Sequence, residues 1–545
     1  MRAASTAILT TVLLLAAPAA IAASPPGTPH VTVGADIKQL IFDWDDAVGA
    51  GYYRLLYKVG SGAFKPLIDN IPASTTQVKV GIAVHLQSWS LIRYAVAACN
   101  TSGCTNSAAI FPQNLMLDTI GYFKASNTDP DDEFGSSFVL SDDGRTLAVV
   151  ASSEDSNASG VNGNQADNSS SLSGAVYVFH RTSSGWRQEA YLKAGTNQPE
   201  QALGAALHLI PSKALAINAN GSLLAVGAPW QDLQGNRDVG VVYIYQKSSS
   251  GSWSVAATLS SPTPQQFDDF GSSVDMSLDG RTLKVSQVGP YVDLEEGIPQ
   301  FRTHIFIRVG TTWKHSVTFA GFFAGDACNT TRLSGDGNTL VLSCNNYVSS
   351  SSQRVETYKR SVNTWTHVSD LPLAQASNIA LALNVDATTM ALQEIQGTQS
   401  SVGIYRWTGE DWLREKGIGA PPTSTLGTYG RALALTRTGN MLAIGDPFAR
   451  EDGAGVSPGS MPGSEYRGAV YVWRRDDRNP LTWILRSVIK SPNPGYRDYF
   501  GDSIAICNTG HALAVGAEGE DSKAKGVDGD RTDNSSKESG AVYLY

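Results

Sequence analysis

The chain lacks an excess of basic residues and lacks long helical patterns. Its 41 Lys and Arg are outnumbered by 50 Asp and Glu, for a formal net charge of −9. This balance disfavours nucleic acid or an anionic membrane as the main partner. Leu/Glu/Lys/Ala periods typical of helices are scarce, whereas Gly is abundant, with 53 residues among 545. The composition therefore predicts an all-β protein made of short strands between tight turns.

Only one long apolar run occurs, at the N-terminus. It follows Arg2 and ends in Ala20-Ile21-Ala22, the small-x-small pattern that a signal peptidase recognises. A membrane anchor is the alternative, but the uninterrupted apolar part is shorter than the ~20 residues of a membrane span. No second span follows it. We therefore predict a signal peptide over 1–22, cleaved near Ala22, and a secreted or periplasmic product.

Cysteine is scarce, with five residues, and in an exported protein these are candidates for disulfides. Cys99 and Cys104 flank a short hairpin tip, which predicts a local bridge. Cys328 and Cys344 lie at comparable distances on either side of an Asp-Gly turn, which predicts a cross-strand bridge within one hairpin. Cys507 is left over and has no His near it in the sequence, so we predict a thiol without a catalytic role.

Residues 24–112 contain strand-like runs separated by turn residues. Trp44, Tyr53 and Tyr94 stand on three of these runs, as aromatic residues do in the core of a β-sandwich. In these residues the segment resembles a fibronectin type III domain. The resemblance implies a spacer or binding module without chemistry of its own, and an unassigned β-sandwich, the alternative, would have the same meaning.

The rest of the chain is built from a repeat. Residues 134–179 and 500–545 share one pattern without a gap, and Phe-Gly or Tyr-Gly pairs at 134–135, 270–271, 429–430 and 500–501 precede Gly-containing turns at a fixed offset. Three degenerate units add turns at 219–224, 334–339 and 385–390, which makes seven. Self-similar units of this kind bury their apolar faces against stacked neighbours.

Each unit continues with a Val/Tyr-alternating run and, in six units, a Trp that opens a fourth run. These tryptophans are Trp186, Trp253, Trp313, Trp365, Trp412 and Trp483. A Trp at a fixed place in each unit is typical of packing between neighbouring units, not of a row of binding sites. Seven units of four antiparallel strands predict a seven-bladed β-propeller over 113–545.

The repeats resemble the FG-GAP repeats of the integrin alpha-chain head. The residues that carry the resemblance are the Phe-Gly pairs, the Leu-Ala-Val-Gly-Ala-Pro run that ends at Pro229, Gly445-Asp446-Pro447 and 514–517. The last unit ends after its third run, whereas a fourth-type run precedes the first unit. We therefore predict that 115–125 closes the ring beside 540–545, with Leu117 where other units carry Trp.

No catalytic residue is predicted. The chain contains no HExxH, no nucleophile elbow, no Arg triad and no distinctively spaced pair of carboxylates. Ser141-Asp142-Asp143-Gly144 is superficially like a sialidase box, but Leu147 stands where an aromatic belongs, and a tight turn explains these residues. The alternative is an enzyme whose active site is formed at the propeller axis by carboxylates from different blades.

Two long acidic loops between second and third strands are candidate calcium sites. Their oxygen-bearing residues have similar spacing and are interrupted by Gly, which suits a hard cation of flexible geometry. The candidate ligands are Asp155, Asn162, Asn164 and Asp167 in the first unit and Asp521, Asp528, Asp530 and Asp533 in the seventh. The alternative is an acidic solvated loop, and the integrin metal motif itself does not fit the turns between first and second strands.

Taken together, the sequence predicts an exported, non-enzymatic recognition or adhesion protein. Its expected partner is an extracellular protein or glycan, bound on the propeller face that carries the acidic loops, with calcium as a candidate cofactor. A secreted hydrolase or lectin-type glycan-handling protein with its site at the axis is the alternative. The sequence specifies neither the ligand nor the oligomeric state.

Overall fold

The computed structural model describes residues 24–205, 213–289, 301–320, 326–346, 353–362, 364–373, 379–397, 399–424 and 426–545. The predicted signal peptide, 1–22, lies outside the described residues. No helix among the described residues has the length and apolar character needed to cross a membrane. The chain forms two compact units, of which the first contains the chain up to Gly34, 41–79 and 91–112, and the second 35–40, 80–90 and 113–545.

The N-terminal strands belong to two sheets. They are β1 (Val31–Asp36), β2 (Gln39–Trp44), β3 (Tyr52–Val59), β4 (Lys65–Pro72), β5 (Gln77–Gly81), β6 (Ile92–Asn100) and β7 (Gly103–Asn106). The sheet orders are β1-β2-β5 and β4-β3-β6-β7. Within the first unit, Trp44 packs on Tyr53 at 5.4 Å and Phe42 on Tyr94 at 5.1 Å between ring centres. The three predicted core aromatics are therefore buried.

The second unit carries the repeat, and the strands β8–β36 fall into six sets of four and one set of five. The strands are β8 (Gly121–Phe123), β9 (Phe134–Leu140), β10 (Thr146–Ala151), β11 (Ala175–Thr182), β12 (Gly185–Leu192), β13 (Leu215–Ile217), β14 (Leu223–Ala228), β15 (Val241–Lys247), β16 (Trp253–Leu259), β17 (Ser273–Met276), β18 (Thr282–Gln287), β19 (Arg302–Val309), β20 (Thr312–Phe319), β21 (Asp326–Leu333), β22 (Thr339–Asn346), β23 (Gln353–Ser361), β24 (Thr364–Leu373), β25 (Leu381–Leu383), β26 (Thr389–Gln396), β27 (Gln399–Trp407), β28 (Trp412–Gly419), β29 (Ala432–Leu435), β30 (Met441–Asp446), β31 (Gly455–Ser457), β32 (Ala469–Arg475), β33 (Trp483–Lys490), β34 (Ile504–Ile506), β35 (Leu513–Ala517) and β36 (Ala541–Leu544). Three short 3₁₀ helices complete the described elements, at Val84–Leu86, Gln113–Leu115 and Leu117–Thr119.

The strands of the second unit pair as a β-propeller. Among the described residues they form seven antiparallel sheets, numbered here one to seven in chain order from β9. The first strand of each sheet contacts the first strand of the next, and β34 of the seventh sheet contacts β9 of the first. Apolar clusters lie between neighbouring sheets, for example around Phe134, Tyr177 and Val542. The core is therefore a series of layers between sheets, as the repeat predicts.

The Phe-Gly pairs are explained by close approach of two sheets. Gly135 and Gly501 have φ of +97°, in the region that disfavours side chains. A Cβ built on Gly135 would lie 2.6 Å from the Ala541 carbonyl oxygen, and one on Gly501 would lie 2.7 Å from the Ala469 carbonyl oxygen. Only glycine fits at these points of contact with the third strand of a neighbouring or preceding sheet.

The turns between first and second strands share one hydrogen bond. In each sheet a side chain at the end of the first strand accepts the backbone N–H five residues later, at 2.8 to 3.2 Å. The acceptors are Ser141, Asn218, Ser277, Ser334, Asn384, Thr436 and Cys507. The fixed offset of the predicted turns is thus confirmed, and the Cys507 sulfur takes the place of a hydroxyl.

The strand before the first repeat pairs with the end of the chain. Tyr122 lies opposite Tyr543 and Phe123 opposite Val542, so β8 is the fourth strand of the seventh sheet. The predicted strand over 115–125 is too long, because only 121–123 is extended. Leu117 lies in a 3₁₀ helix that precedes the strand, and not at the Trp position.

One sheet departs from the four-strand pattern. The sixth sheet has the order β29-β30-β32-β33-β31 and gains a fifth strand from the long loop between β30 and β32. Val456 of this insertion lies opposite Ile489 of β33. The sequence did not indicate this strand, because it is only three residues long and follows a Gly-rich stretch.

Both predicted disulfides are present. Cys99 is bonded to Cys104 and Cys328 to Cys344, and Cys507 is the free cysteine of the described residues, buried in the seventh sheet. The predicted packing role of the tryptophans is seen at Trp186, which is buried and lies edge-on to Phe123 of the seventh sheet at 5.4 Å. It therefore joins the first and last sheets of the ring.

Candidate functional site

We call one end of the propeller the loop face. It comprises the loops between second and third strands and the connections from one sheet to the next. The best-defined loops are 152–174, 229–240, 447–468 and 518–540, and the best-defined connections are 124–133, 193–205, 260–272 and 491–503. Backbone hydrogen bonds join each of these connections to the loop before it, for example Glu200 N to Ser171 O at 2.8 Å. Loops and connections therefore share one face.

The four connections are built on one scaffold. In three of them an Asp carboxylate accepts the backbone N–H three residues earlier, at 3.0 Å for Asp132 and 2.7 Å for Asp268 and Asp498. In the second sheet the amide oxygen of Gln201 takes this role at 3.2 Å. Burial raises the pKa of Asp132 and Asp498 to about 7. These buried caps hold the four connections in the same conformation.

Residues on either side of each cap adopt a left-handed conformation. Their φ values lie between +47° and +65° although none is glycine. The pairs are Asp131 and Glu133, Glu200 and Ala202, Phe267 and Asp269, and Arg497 and Tyr499. This conformation costs a residue with a side chain roughly 1–2 kcal/mol. The scaffold thus repeatedly maintains a strained backbone while the side chains that it presents differ in charge and size.

A buried ion pair anchors each of the two long acidic loops. In the first sheet Lys193 Nζ lies 2.7 Å from a Glu154 carboxylate oxygen, and the Tyr191 hydroxyl donates to the other oxygen at 2.7 Å. The seventh sheet repeats the arrangement with Lys124, Glu520 and Tyr122. Burial lowers the pKa of Lys193, and the charge of Glu154 opposes this shift. Glu154 and Glu520 therefore serve as structural anchors of these loops.

The predicted metal ligands of the first sheet accept backbone N–H groups. Their side-chain oxygens lie 2.8 Å from the donor for Asp155, 2.9 Å for Asn162, 3.1 Å for Asn164 and 2.9 Å for Asp167. The donor to Asn162 is Tyr191 of β12, so this residue fastens the loop to its sheet. The other three hold turns within the loop.

The predicted ligands of the seventh sheet repeat this arrangement. Backbone N–H donors lie at 2.8 Å from Asp521, 3.1 Å from Asp528, 2.9 Å from Asp530 and 3.2 Å from Asp533. Burial raises the pKa of Asp528, which faces β8. Hydrogen bonds from Thr532 lower the pKa of Asp530. Asp528 and Asp530 are exposed to solvent, and Asp533 is half-buried.

These carboxylates do not converge on a point. Among the described residues, one set of three potential metal ligands brings its ligand atoms within 4.8 Å of one another, and it consists of Cys328, Cys344 and Glu356. Two of these are bonded as a disulfide, so the set is not a metal site. A cation on the acidic loops would require their side chains to rearrange.

The two acidic loops flank one connection, 124–133. On one side Asp131 N donates to the Lys537 carbonyl oxygen at 2.8 Å. On the other side the Asn168 amide donates to the Asp129 carboxylate at 2.9 Å. The Lys537 ammonium also lies 3.6 Å from the Asp131 carboxylate. A lysine of the protein therefore neutralises part of the negative charge between the two acidic loops.

A second acidic group lies at the start of the first strands and was not singled out from the sequence. Glu518, directly after β35, is half-buried, and burial raises its pKa to about 8, with the charges of Asp502 and Glu133 acting in the same direction. Asp502 is paired with Arg431 at 2.5 Å. These residues come from the first, sixth and seventh sheets, so separate blades contribute to one charged group.

The strand pairing and ring contacts define the second unit as a β-propeller of antiparallel sheets. No protein-family model and no curated protein matches the chain. Its fold is similar to that of the periplasmic gluconolactonase PpgL of Pseudomonas aeruginosa, at 13% identity and a TM-score of 0.39 over 81% of this chain and 97% of that one. The β-propeller domain of Cps50 (Swd1) from Myceliophteria thermophila is 9% identical, with a TM-score of 0.41 over 78% of this chain and 99% of that one. Hydrazine synthase of Kuenenia stuttgartiensis is 14% identical, with a TM-score of 0.43 over 71% of this chain and 93% of that one.

Proposed function

We propose that this chain is an exported recognition protein that binds an extracellular protein or glycan through the loop face. The observation that carries the proposal is the set of four connections with one scaffold and different side chains. A strained backbone that is kept four times while the side chains that it presents vary is typical of a binding surface. The varied positions carry acidic, apolar, aromatic and basic groups.

The proposal also includes the type of propeller and the type of N-terminal domain. We infer a seven-bladed propeller of the FG-GAP type that resembles the integrin alpha-chain head, preceded by a fibronectin type III-like sandwich over 24–112. Seven capped turns at one offset and glycines at the Phe-Gly positions support the first part. Two disulfides fit export through a predicted signal peptide into an oxidising compartment.

A hydrolase with its site near the axis is the second candidate. The observation that favours it is Glu518, whose raised pKa beside Asp502 would suit a general acid next to a carboxylate. Binding and turnover should be measured on one sample with a glycan array and a panel of phosphoesters. We expect saturable binding without turnover. Turnover that is lost in both Glu518→Gln and Asp502→Asn would replace the recognition function with the enzymatic one.

Calcium is proposed as a cofactor of the two acidic loops. Asp528 and Asp530 would supply exposed oxygens and Asp533 a half-buried one, and an oxygen-rich site would suit this ion. Because the carboxylates do not converge, binding should be weak and should rearrange the loop. Calorimetric titration with calcium should give a saturable heat in the wild type that is reduced in the variant Asp528→Asn/Asp530→Asn/Asp533→Asn. Absence of any saturable heat would leave a solvated acidic surface.

A further inference from the structure

An aromatic–arginine cluster lies on the loop face between the sixth and seventh sheets. It consists of Phe448, Arg450, Tyr466, Tyr496, Arg497 and Tyr499. The ring centre of Phe448 lies 6.1 Å from that of Tyr466 and 5.4 Å from that of Tyr499. Arg497 N donates to the Tyr466 carbonyl oxygen at 2.8 Å, which fixes the connection against the loop of the sixth sheet. The cluster is therefore a built part of the face.

Two arginines of the cluster rest on aromatic rings. The Arg450 guanidinium carbon lies 4.4 Å from the Tyr466 ring centre, and the guanidinium also donates to the Tyr466 hydroxyl. The Arg497 guanidinium carbon lies 5.2 Å from the ring centre of its neighbour Tyr496. Stacking of this kind orients the guanidinium plane and leaves its N–H edge for an acceptor.

Neither of these guanidinium groups has a carboxylate partner within 4.0 Å in the described part of the chain. Nearby arginines on the same face do have one, since Arg431 pairs with Asp502 and Arg467 with Asp452. In a protein with a net charge of −9, two arginines of one cluster that lack a carboxylate partner provide a local site for an anion. Their fork of N–H donors matches a carboxylate.

The cluster also exposes aromatic surface. Tyr496 is 58% exposed, and Phe448 and Tyr499 are half-buried. Arg497 and Tyr499 occupy the two strained positions of the connection, at φ of +63° and +55°. An exposed ring presents a negative face that attracts the C–H groups of a flat, weakly polar ligand surface. The cluster thus combines a stacking platform with an anion site.

We propose that the aromatic–arginine cluster binds a uronic acid residue of an acidic polysaccharide. The Arg497 guanidinium, supported by Arg450, pairs with the sugar carboxylate, and the apolar face of the pyranose ring packs on Tyr496. The proposal rests on the proposed function of the loop face and names its ligand class. An acidic peptide would use the arginines alone and would leave the exposed tyrosine without a role.

The test uses the full mature chain and oligogalacturonate in 0.15 M NaCl, with calorimetry as the readout. The wild type should bind saturably, and complete methyl esterification of the sugar should abolish the interaction. Arg497→Gln and Tyr496→Ala should each weaken binding about tenfold, as expected for loss of a charge-assisted or stacking contact. Arg187→Gln, an exposed position on β12 with the same change in net charge, should alter the affinity less than twofold.

Four results would overturn the proposal. These are absence of binding, equal binding of the esterified sugar, equally tight binding of poly-glutamate, and equal affinities of Arg497→Gln and Arg187→Gln. Circular dichroism of each variant checks that it is folded. A different outcome is that the protein fails to bind oligogalacturonate but binds another ligand, with an affinity that depends on other loop-face residues. In that case this inference is wrong and the proposed function of the loop face stands.

Discussion

Gly501 and Gly526 both have positive φ, but their surroundings differ. A Cβ at Gly501 would lie 2.7 Å from a carbonyl oxygen, whereas one at Gly526 would meet no atom within 4 Å. Gly526→Ala should therefore cost only the conformational preference, roughly 1–2 kcal/mol. Gly501→Ala should cost several kcal/mol more in the free energy of unfolding, measured in urea, because two sheets must separate. Equal costs would show that the Phe-Gly contact between sheets is not tight.

The buried cap Asp498 makes stability depend on pH. Its pKa is raised by burial from 3.8 to about 7, so between these values the folded state keeps a proton that the unfolded state releases. Stability should then fall as pH rises through this window. The Asp498→Asn variant retains an oxygen that accepts the Gly495 N–H. Its free energy of unfolding should fall by ~2 kcal/mol less than that of the wild type between pH 5 and pH 7.5.

The control for this prediction is Asp530→Asn. Hydrogen bonding lowers the pKa of Asp530, so its titration lies below the window and the variant should keep the pH dependence of the wild type. Urea unfolding at the two pH values checks both variants. A slope in Asp498→Asn that matches the wild type would mean that this carboxyl is ionised in the folded protein at pH 5.

At the scale of elements, the features that could be predicted from the sequence are those set by residues close together in the chain. The turns between first and second strands were located because Gly and a capping side chain recur at one spacing, and the Cys328–Cys344 bridge followed from hairpin symmetry. The short strand β31 and the 3₁₀ helix at Leu117 were missed, because three-residue elements leave no periodicity.

The capped scaffold of the loop-face connections was missed for a different reason. Asp132, Asp268 and Asp498 all lie two positions before the Phe of a Phe-Gly pair, and the sequence contains this signal. Gln201 replaces Asp in the second sheet, and left-handed conformation at non-glycine residues has no composition signature. The acidic loops were found from their charge, yet the buried Glu154 that anchors the first could not be distinguished from exposed acids without the fold.

Strand β8 can be tested as a member of the ring. Tyr122 on β8 and Tyr191 on β12 occupy equivalent places, and their hydroxyls donate to Glu520 and Glu154 at 2.9 and 2.7 Å. If β8 closes the ring, Tyr122→Ala and Tyr191→Ala should each cost ~3–5 kcal/mol, because both empty a buried site of similar size. Denaturant unfolding gives both values. A cost below ~1 kcal/mol for Tyr122→Ala alone would contradict closure.

At the scale of the whole molecule, we propose that recognition takes place at one end of the propeller. The loop face carries the strained, variable positions, whereas the opposite end carries the short capped turns with exposed residues such as Arg145 and Arg281. A ring of sheets keeps the two ends apart, so substitutions at one end should leave the other unchanged. The two ends therefore provide matched variants of the same protein.

The most direct measurement is glycan-array binding by the wild type and by two variants. The loop-face variant is Asp131→Asn/Glu200→Gln/Phe267→Ala/Arg497→Gln, one change in each of the four connections, and the opposite-face variant is Arg145→Gln/Arg281→Gln. We predict that the wild type binds glycans on the array, that the loop-face variant binds them at least tenfold more weakly, and that the opposite-face variant binds as the wild type does. Equal loss in both variants, or loss in the opposite-face variant alone, would contradict recognition through the loop face.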